Sequence, residues 1–394
     1  MCIDTRPGTQ DVRHATARGS FARMTSGLTR REFLQLGGLA LAVHALRPAA
    51  DERSLLYVAV PGIRNYTEWG GLGVLVYDIA DGYRLLRRIP APILGRGGSV
   101  ENVKGICASA VAGGGRLYVS TVNRLLAYDL RTDALLWNRE YEKGCDRMAI
   151  TPDGSAIYLP SLEGPLWSVV DPMTGDVLAR IETNSGAHNT ICGAHGTRAY
   201  LAGLGSTTLR VADTRTRTVV REVGPFGGVI RPFTVDGAER RCYVNVNELL
   251  GFEIGDLETG KLLHRVEVPG FAKGPVKRHG CPSHGVGLTP EEREIWVCDG
   301  ANGRLHVFDA TVTPPRLVES GAVRDPPGWI TFTLDGRHAI ASTGEIVDVR
   351  SKRVIATLAD EQGLPVASEK VVEVVFRDGA PVRTGDQFGV GRRG

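Results

Sequence analysis

Residues 145–181 read CDRMAITPDGSAIYLPSLEGPLWSVVDPMTGDVLARI, and this stretch decides the fold. Short apolar runs alternate in it with two turn sequences, Pro152-Asp153-Gly154 and Met173-Thr174-Gly175. Asp-Gly and related pairs supply the positive φ that a tight hairpin turn requires. The stretch therefore predicts one antiparallel sheet of four short strands, and the expected runs are Arg147–Ile150, Ala156–Leu159, Leu166–Asp171 and Val177–Ile181.

The aspartate that ends the third predicted strand recurs along the chain. The recurrences are Asp78, Asp129, Asp171, Asp213, Asp256, Asp309 and Asp348, at spacings of 51, 42, 42, 43, 53 and 39 residues. A repeat of this length with four strands per unit is typical of a β-propeller, in which blades follow one another around a central axis. The sequence therefore predicts an all-β fold of seven four-stranded blades.

The two ends of the repeat region each supply a strand without a complete blade. Leu55–Val60 opens the region without a preceding inner strand, and Val371–Phe376 near the end lacks a blade of its own. An open array would leave both apolar ends as exposed sheet edges. We therefore expect the C-terminal strand to close the first blade, so that residues 51–394 form one propeller domain.

Residues 1–50 have the pattern of an export signal rather than of a folded domain. The first residues are polar and basic, so we expect disorder there. The segment Thr29-Arg30-Arg31-Glu32-Phe33-Leu34 precedes the apolar run Leu36–Val43, an order typical of a twin-arginine (Tat) leader. The apolar run is too short for a spanning helix, so we expect no stable membrane anchor and a periplasmic or secreted protein.

Composition and motifs exclude several classes of function. The net charge is +3 and no Lys/Arg block lies beyond the N-terminal region, so a nucleic-acid partner is not expected. The seven cysteines form no CxxC pair, which argues against a structural zinc site. The absence of GxSxG, P-loop and CxxCH motifs leaves binding or acid/base chemistry.

One unit of the repeat resembles a known family. The stretch Thr151–Leu159, with the later Asp-x-x-Thr-Gly, resembles the YVTN-type β-propeller repeat of bacterial secreted proteins, and Tyr118–Thr121 and Tyr243–Val246 stand where the name-giving tetrapeptide is expected. The resemblance covers roughly residues 54–385. It implies a secreted propeller, and related propellers include binding scaffolds, lactonases, lyases and quinoprotein-like dehydrogenases.

Side chains just before each inner strand are expected to converge on the central funnel of a propeller. Polar or aromatic residues occupy these positions in six predicted blades. We predict a ligand-binding set of Lys104, Asp146, Arg147, Asn189 and Trp329, and catalytic candidates His188, Arg231 and His284.

The predicted funnel residues are compatible with more than one chemistry. His188, His284 and Asp146 could form a metal site, since imidazole and carboxylate groups bind transition metals. Without metal, a histidine base beside Arg147 and Arg231 would suit a carboxylate-bearing substrate, because a guanidinium group binds a carboxylate with two hydrogen bonds. The identity of any metal or cofactor stays open.

Three functions remain compatible with the sequence. The first is a propeller that binds a small molecule, a glycan or a protein partner at its funnel. The second is a lyase or hydrolase that acts on an acidic sugar or a lactone through the funnel histidines and arginines. The third is a redox enzyme with a metal or quinone cofactor that is loaded before export.

Overall fold

The repeated hairpins form seven antiparallel sheets in a ring, which confirms the predicted seven-bladed β-propeller. The computed structural model describes residues 52–277 and 280–393, which belong to one compact unit. The predicted disordered segment and Tat leader lie outside these residues. Within the described ranges, no helix has the length and apolarity needed to cross a membrane.

The strands follow the chain in blade order. Those of the first four blades are β1 (Glu52–Val60), β2 (Gly73–Asp78), β3 (Arg84–Ile89), β4 (Val103–Ser109), β5 (Arg116–Thr121), β6 (Arg124–Asp129), β7 (Leu135–Glu140), β8 (Ala149–Ile150), β9 (Ile157–Pro160), β10 (Leu166–Val170), β11 (Val177–Glu182), β12 (Ala187–Cys192), β13 (Arg198–Gly203), β14 (Leu209–Asp213) and β15 (Thr218–Val223).

The remaining strands complete the ring and return to the first blade. They are β16 (Ile230–Val235), β17 (Arg241–Val246), β18 (Gly251–Asp256), β19 (Leu262–Glu267), β20 (Ser283–Leu288), β21 (Glu294–Asp299), β22 (Arg304–Asp309), β23 (Arg316–Ala322), β24 (Ile330–Phe332), β25 (His338–Ala341), β26 (Glu345–Asp348), β27 (Val354–Thr357), β28 (Val371–Arg377) and β29 (Ala380–Thr384). Three 3-10 turns occur at Thr67–Trp69, Arg96–Gly98 and Ala112–Gly114.

The recurring aspartate shapes the outer hairpin of each blade. Asp256 accepts hydrogen bonds from the backbone N–H groups of Glu258 at 2.8 Å and Thr259 at 2.7 Å. Asp129 makes the same pair of contacts with Arg131 and Thr132. The aspartate side chain thus accepts hydrogen bonds from N–H groups for which the turn provides no backbone acceptor. Gly260 follows at φ +77°, a left-handed conformation that costs glycine little.

Apolar packing joins each blade to the next. Seven clusters of buried side chains occupy the seven interfaces between neighbouring blades. Trp167 of blade 3 packs with Tyr158 and with Leu201 of blade 4, and Trp296 of blade 6 packs with Phe332 of blade 7. Every blade thus depends on both of its neighbours, as in other repeat architectures.

The C-terminal strand closes the first blade as predicted. β28 pairs antiparallel with β1, and Tyr57 lies opposite Val372 in the register. The sequence did not predict β29, which pairs with β28 and makes this sheet five-stranded. Blade 1 is therefore an exception to the predicted four strands, and its additional strand lies on the axial side of β28.

Residues 385–393, here called the tail, cross the inside of the ring. Inner strands present unpaired N–H and C=O groups toward the axis, and the tail binds several of them. The Gln387 side chain accepts a hydrogen bond from Ile106 N at 3.3 Å and donates one to Met148 O at 2.9 Å. Gly389 O accepts from Leu288 N at 2.8 Å and from Thr234 Oγ1 at 2.7 Å. The tail thus links blades 2, 3, 5 and 6 from inside.

The described cysteines are structural. All six are free thiols, and five of them are buried. Burial raises the pKa of Cys242 and of Cys281 to about 12, so these thiols stay protonated and unreactive at neutral pH.

The tail contacts predict a loss of stability in Gln387→Leu. The leucine would leave Ile106 N–H and Met148 C=O buried without partners, so we expect the free energy of unfolding to fall by about 3 kcal/mol. Chemical denaturation measures this change. Arg393→Ala is the control, because Arg393 is exposed and binds Glu292 only through its backbone N–H. Equal stability of Gln387→Leu and the wild type would show that the tail does not dock in the ring.

Candidate functional site

Residues at the start of the inner strands, or just before them, meet around the axis at the end of the ring opposite the hairpins of those strands. We call this region the axial mouth and define it by Lys104, Asp146, Arg147, His188, Asn189, Trp329, Glu369 and Lys370. Backbone contacts bring neighbouring blades together here, since Arg147 N donates to His188 O at 3.2 Å. The position within each blade, rather than one continuous motif, assembles the site.

Three side chains from consecutive blades form a charged chain. Lys104 Nζ lies 3.5 Å from Asp146 Oδ1, and His188 Nδ1 lies 2.6 Å from Asp146 Oδ2. Burial raises the pKa of Asp146, but the charges of His188 and Lys104 and the His188 hydrogen bond outweigh this effect and lower it. Asp146 is therefore an ionised carboxylate that accepts a hydrogen bond from His188 and forms an ion pair with Lys104.

The ionised state of Asp146 fixes which ring nitrogen of His188 carries a proton in their contact. A carboxylate only accepts hydrogen bonds, so Nδ1 of His188 must carry the proton in this contact. In the neutral ring, Nε2 is then the basic nitrogen. Nε2 makes no hydrogen bond to any described residue, and the side chain is 12% exposed. His188 is thus an oriented base, as carboxylate–histidine pairs are in many enzymes.

A second group of charges lies deeper in the axial mouth. Arg147 Nη2 donates to Glu369 Oε2 at 2.9 Å, and its guanidinium carbon lies 3.4 Å from the centre of the Trp329 ring. Lys370 Nζ donates to the same Glu369 oxygen at 2.9 Å and to Gly62 O at 2.8 Å. Burial and, next, the charge of Arg147 lower the pKa of Lys370 to about 7.

Several buried polar atoms at the axial mouth have no partner within the described residues. These atoms are Nε and Nη1 of Arg147 and both amide atoms of Asn189. Buried polar groups in native proteins nearly always bind protein, water or ligand. The stacked guanidinium and the amide therefore offer donors and an acceptor to a molecule on the axis.

Two of the predicted catalytic residues have hydrogen-bond partners within the protein. Arg231 Nε donates to Asn247 Oδ1 at 2.6 Å. His284 Nδ1 donates to Gly328 O at 2.9 Å, and its ring lies 5.8 Å from that of Trp329. No three His, Cys, Asp or Glu side chains of the described ranges form a metal-binding group, so His188, His284 and Asp146 do not assemble into one.

Sequence reasoning missed Glu369 and Lys370. Both directly precede β28, the inner strand of blade 1. Arg147 likewise precedes β8, and His188 lies at the start of β12, so the same rule applied to the closing strand would have found Glu369 and Lys370. It could not have found Gln387, whose backbone carbonyl accepts a hydrogen bond from Trp329 Nε1, because the tail has no counterpart in the repeat.

A serine–histidine–aspartate chain in blade 6 has a structural role. His306 Nε2 lies 3.0 Å from Asp299 Oδ2, and His306 Nδ1 lies 2.9 Å from Ser320 Oγ. Asp299 and His306 are completely buried, and the Phe271 ring packs edge-on against the imidazole. The chain therefore joins three strands of the blade and does not present its histidine to a substrate.

Similarity to known proteins does not assign a function to this site. The chain matches no protein-family model and no curated protein. Its seven-bladed architecture fits a binding or scaffold role, because propellers commonly bind partners on one face.

The lowered pKa of Lys370 predicts a distinct pH dependence of stability. Between pH 7 and the ordinary lysine value of 10.5, the unfolded chain holds a proton that the native protein has lost. Raising the pH through this interval therefore favours the native state. We expect the stability of the wild type relative to Lys370→Met to rise from pH 7 to about pH 10 and to change little below pH 7.

Denaturation of both proteins across the pH series measures this difference. Lys370 faces Arg147, Glu369 and Lys104, and methionine at its position does not titrate. The buried thiols ionise on unfolding in the same pH range, but they do so in both proteins, so the comparison cancels them. A difference in stability that is constant over the series would contradict the expectation.

Proposed function

We propose that the chain is an exported propeller that binds a small anionic molecule, such as an acidic sugar, at the axial mouth. The charge balance there carries the proposal. The three cationic groups Lys104, Arg147 and Lys370 stand against the two carboxylates of Asp146 and Glu369. Because the pKa of Lys370 is about 7, the excess positive charge develops fully only when an anion keeps this lysine protonated. Buried charge is costly unless it is paired, and a ligand carboxylate would pair it.

The side chains of the axial mouth differ in exposure, so some of them can contact a ligand directly and others can attract it only at a distance. Lys104 and His188 are 15% and 12% exposed and can meet a ligand that arrives from solvent. Arg147 and Lys370 are nearly fully buried beneath them, where low polarity strengthens the field that they direct outward. Because the tail occupies the other end of the ring, the ligand enters from one face.

The cellular setting of the proposal rests on the sequence. The twin-arginine pattern at residues 29–34 supports export to the periplasm or beyond, and the similarity to YVTN-type repeats supports a bacterial secreted protein. A small molecule or glycan is then the expected ligand.

A uronate titration tests anion binding. We expect D-galacturonate or D-glucuronate to bind at least about tenfold more tightly than D-galactose or D-glucose in isothermal titration calorimetry, since only the acids pair the excess charge. Lys104→Met should weaken uronate binding by a similar factor. Lys261→Met, which removes the same charge from an exposed hairpin, should leave it unchanged.

Proton uptake gives this experiment a second readout. An anion beside Lys370 raises the lysine pKa above about 7, so binding at pH 8 should take up protons. Titrations in buffers of different ionisation enthalpy measure that uptake. Uronates and neutral sugars that bind alike, or uronate affinity unchanged in Lys104→Met, would reject the proposal.

The Asp146–His188 contact supports a lyase or hydrolase as the second candidate function. His188 Nε2 can remove the proton from the carbon next to a uronate carboxylate, after which a carbon–carbon double bond forms and the neighbouring glycosidic C–O bond breaks, its oxygen taking a proton from solvent. The same nitrogen can instead remove a proton from water that attacks a lactone carbonyl, after which the ring C–O bond breaks and its oxygen takes that proton. A redox enzyme remains the third alternative, without a described cluster that favours it.

Oligogalacturonide turnover distinguishes catalysis from binding. We expect His188→Gln to abolish the ultraviolet absorbance of the unsaturated product while uronate affinity changes only a few-fold, because glutamine retains hydrogen bonding to Asp146 but supplies no base. His195→Gln is the control, since that exposed histidine lies on a hairpin beside Glu239. No turnover by the wild type on oligogalacturonides and lactones would leave binding as the function.

A further inference from the structure

A second cavity lies on the same face as the axial mouth, between blades 1 and 2. Its volume is about 720 Å³, within the range of small-molecule sites. We call it the side cleft and define it by Arg64, Asn102, Arg124, Glu140, Tyr141 and Glu142, which line it. Asn102 precedes Lys104 by two residues, so the side cleft adjoins the axial mouth but has a separate lining.

A hydrogen-bonded network fixes the floor of the side cleft. The Glu101 carboxylate is buried and accepts hydrogen bonds from Thr121 Oγ1, from Asn123 Nδ2 at 3.3 Å and from Arg124 Nη2 at 3.2 Å. Arg124 Nη2 also donates to Glu140 Oε1 at 3.0 Å. The polar groups are therefore held in place before a ligand arrives, which reduces the entropy lost on binding.

The side cleft contains carboxylates and cationic groups in similar number. The lining includes the carboxylates of Glu101, Glu140 and Glu142 and the guanidinium groups of Arg64 and Arg124. Glu142 Oε1 also lies 4.0 Å from Lys143 Nζ. Both donors and acceptors line the side cleft, and a hydroxyl group is the common ligand group that can satisfy either.

One buried acceptor in the side cleft lacks a donor. Oδ1 of Asn102 is buried and has no hydrogen-bond partner among the described residues. A buried acceptor without a partner is unfavourable, so a ligand hydroxyl would improve its environment. Tyr141 adds an aromatic surface whose position is fixed, since its hydroxyl donates to Gly175 O at 2.7 Å.

We propose that the side cleft binds a neutral saccharide. Its hydroxyl groups would donate to Asn102 Oδ1 and to the carboxylates and accept from the guanidinium groups, while an apolar sugar face would rest against Tyr141. This site is independent of the anion site of the axial mouth, because different residues form it.

Calorimetric titration with neutral trisaccharides tests the proposal. The probes are cellotriose, mannotriose and xylotriose, and we expect at least one to bind the wild type. Asn102→Ala should weaken that binding about tenfold, the effect of losing one hydrogen bond to a buried acceptor. Its melting temperature should not fall, because the removed acceptor has no protein partner, whereas a structural role for Asn102 predicts a loss.

Two further variants complete the test. Asn138→Ala, on the exposed outer strand of blade 2, should leave saccharide affinity unchanged. Asn65→Ala removes a polar side chain that lines the same cleft, without touching the network on its floor, and should also weaken binding. Binding of no trisaccharide at millimolar concentrations, or binding unaffected by Asn102→Ala and Asn65→Ala, would overturn the proposal. The two ligand sites can fail separately, since Lys104→Met should spare neutral saccharides and Asn102→Ala should spare uronates.

Discussion

Pairing of β28 with β1 is the interaction on which the propeller depends. It joins residues from opposite ends of the described chain, such as Tyr57 and Val372, and so converts a row of blades into a closed ring. Loop closure of this length costs conformational entropy that grows only slowly with chain length. Closure stabilises the fold by more than this cost, because both end blades then bury an apolar face against a neighbour.

Closure also makes the two ends of the ring chemically different. After β28 the chain turns inward, and the tail satisfies backbone groups of the inner strands at one end. Trp329 connects the tail with the axial mouth. Its indole N–H donates to Gln387 O, and its ring centre lies 5.6 Å from that of Phe388. The Arg147 guanidinium stacks on the face of the same Trp329 ring. The charged groups of the axial mouth are therefore supported by packed aromatic side chains.

The repeat allowed the blades to be predicted, because each hairpin has a local chemical cause. Asp129 and Asp256 bind backbone N–H groups two and three residues later, so the same residue marks the same turn in successive blades. The expectation that residues near the start of each inner strand converge on the funnel placed Arg147 near His188, and the two residues share a backbone hydrogen bond. The same expectation also selected Arg231, whose Nε donates to Asn247 Oδ1, because position at the start of a strand does not fix which partner a long side chain takes. β29 and Gln387 were missed, since neither repeats.

The same constraint explains why both proposed sites lie on one face. The hairpins at the opposite end must provide turns such as that at Asp256 and Gly260, and the tail binds among the inner strands there, so substitutions at that end disturb the fold. The connections at the axial mouth follow no common turn, and they include the long segments 61–72 and 90–102 that border the side cleft. Residues on these connections can change charge without loss of a blade. The two proposed sites can therefore lie side by side on a scaffold whose repeat leaves that face free.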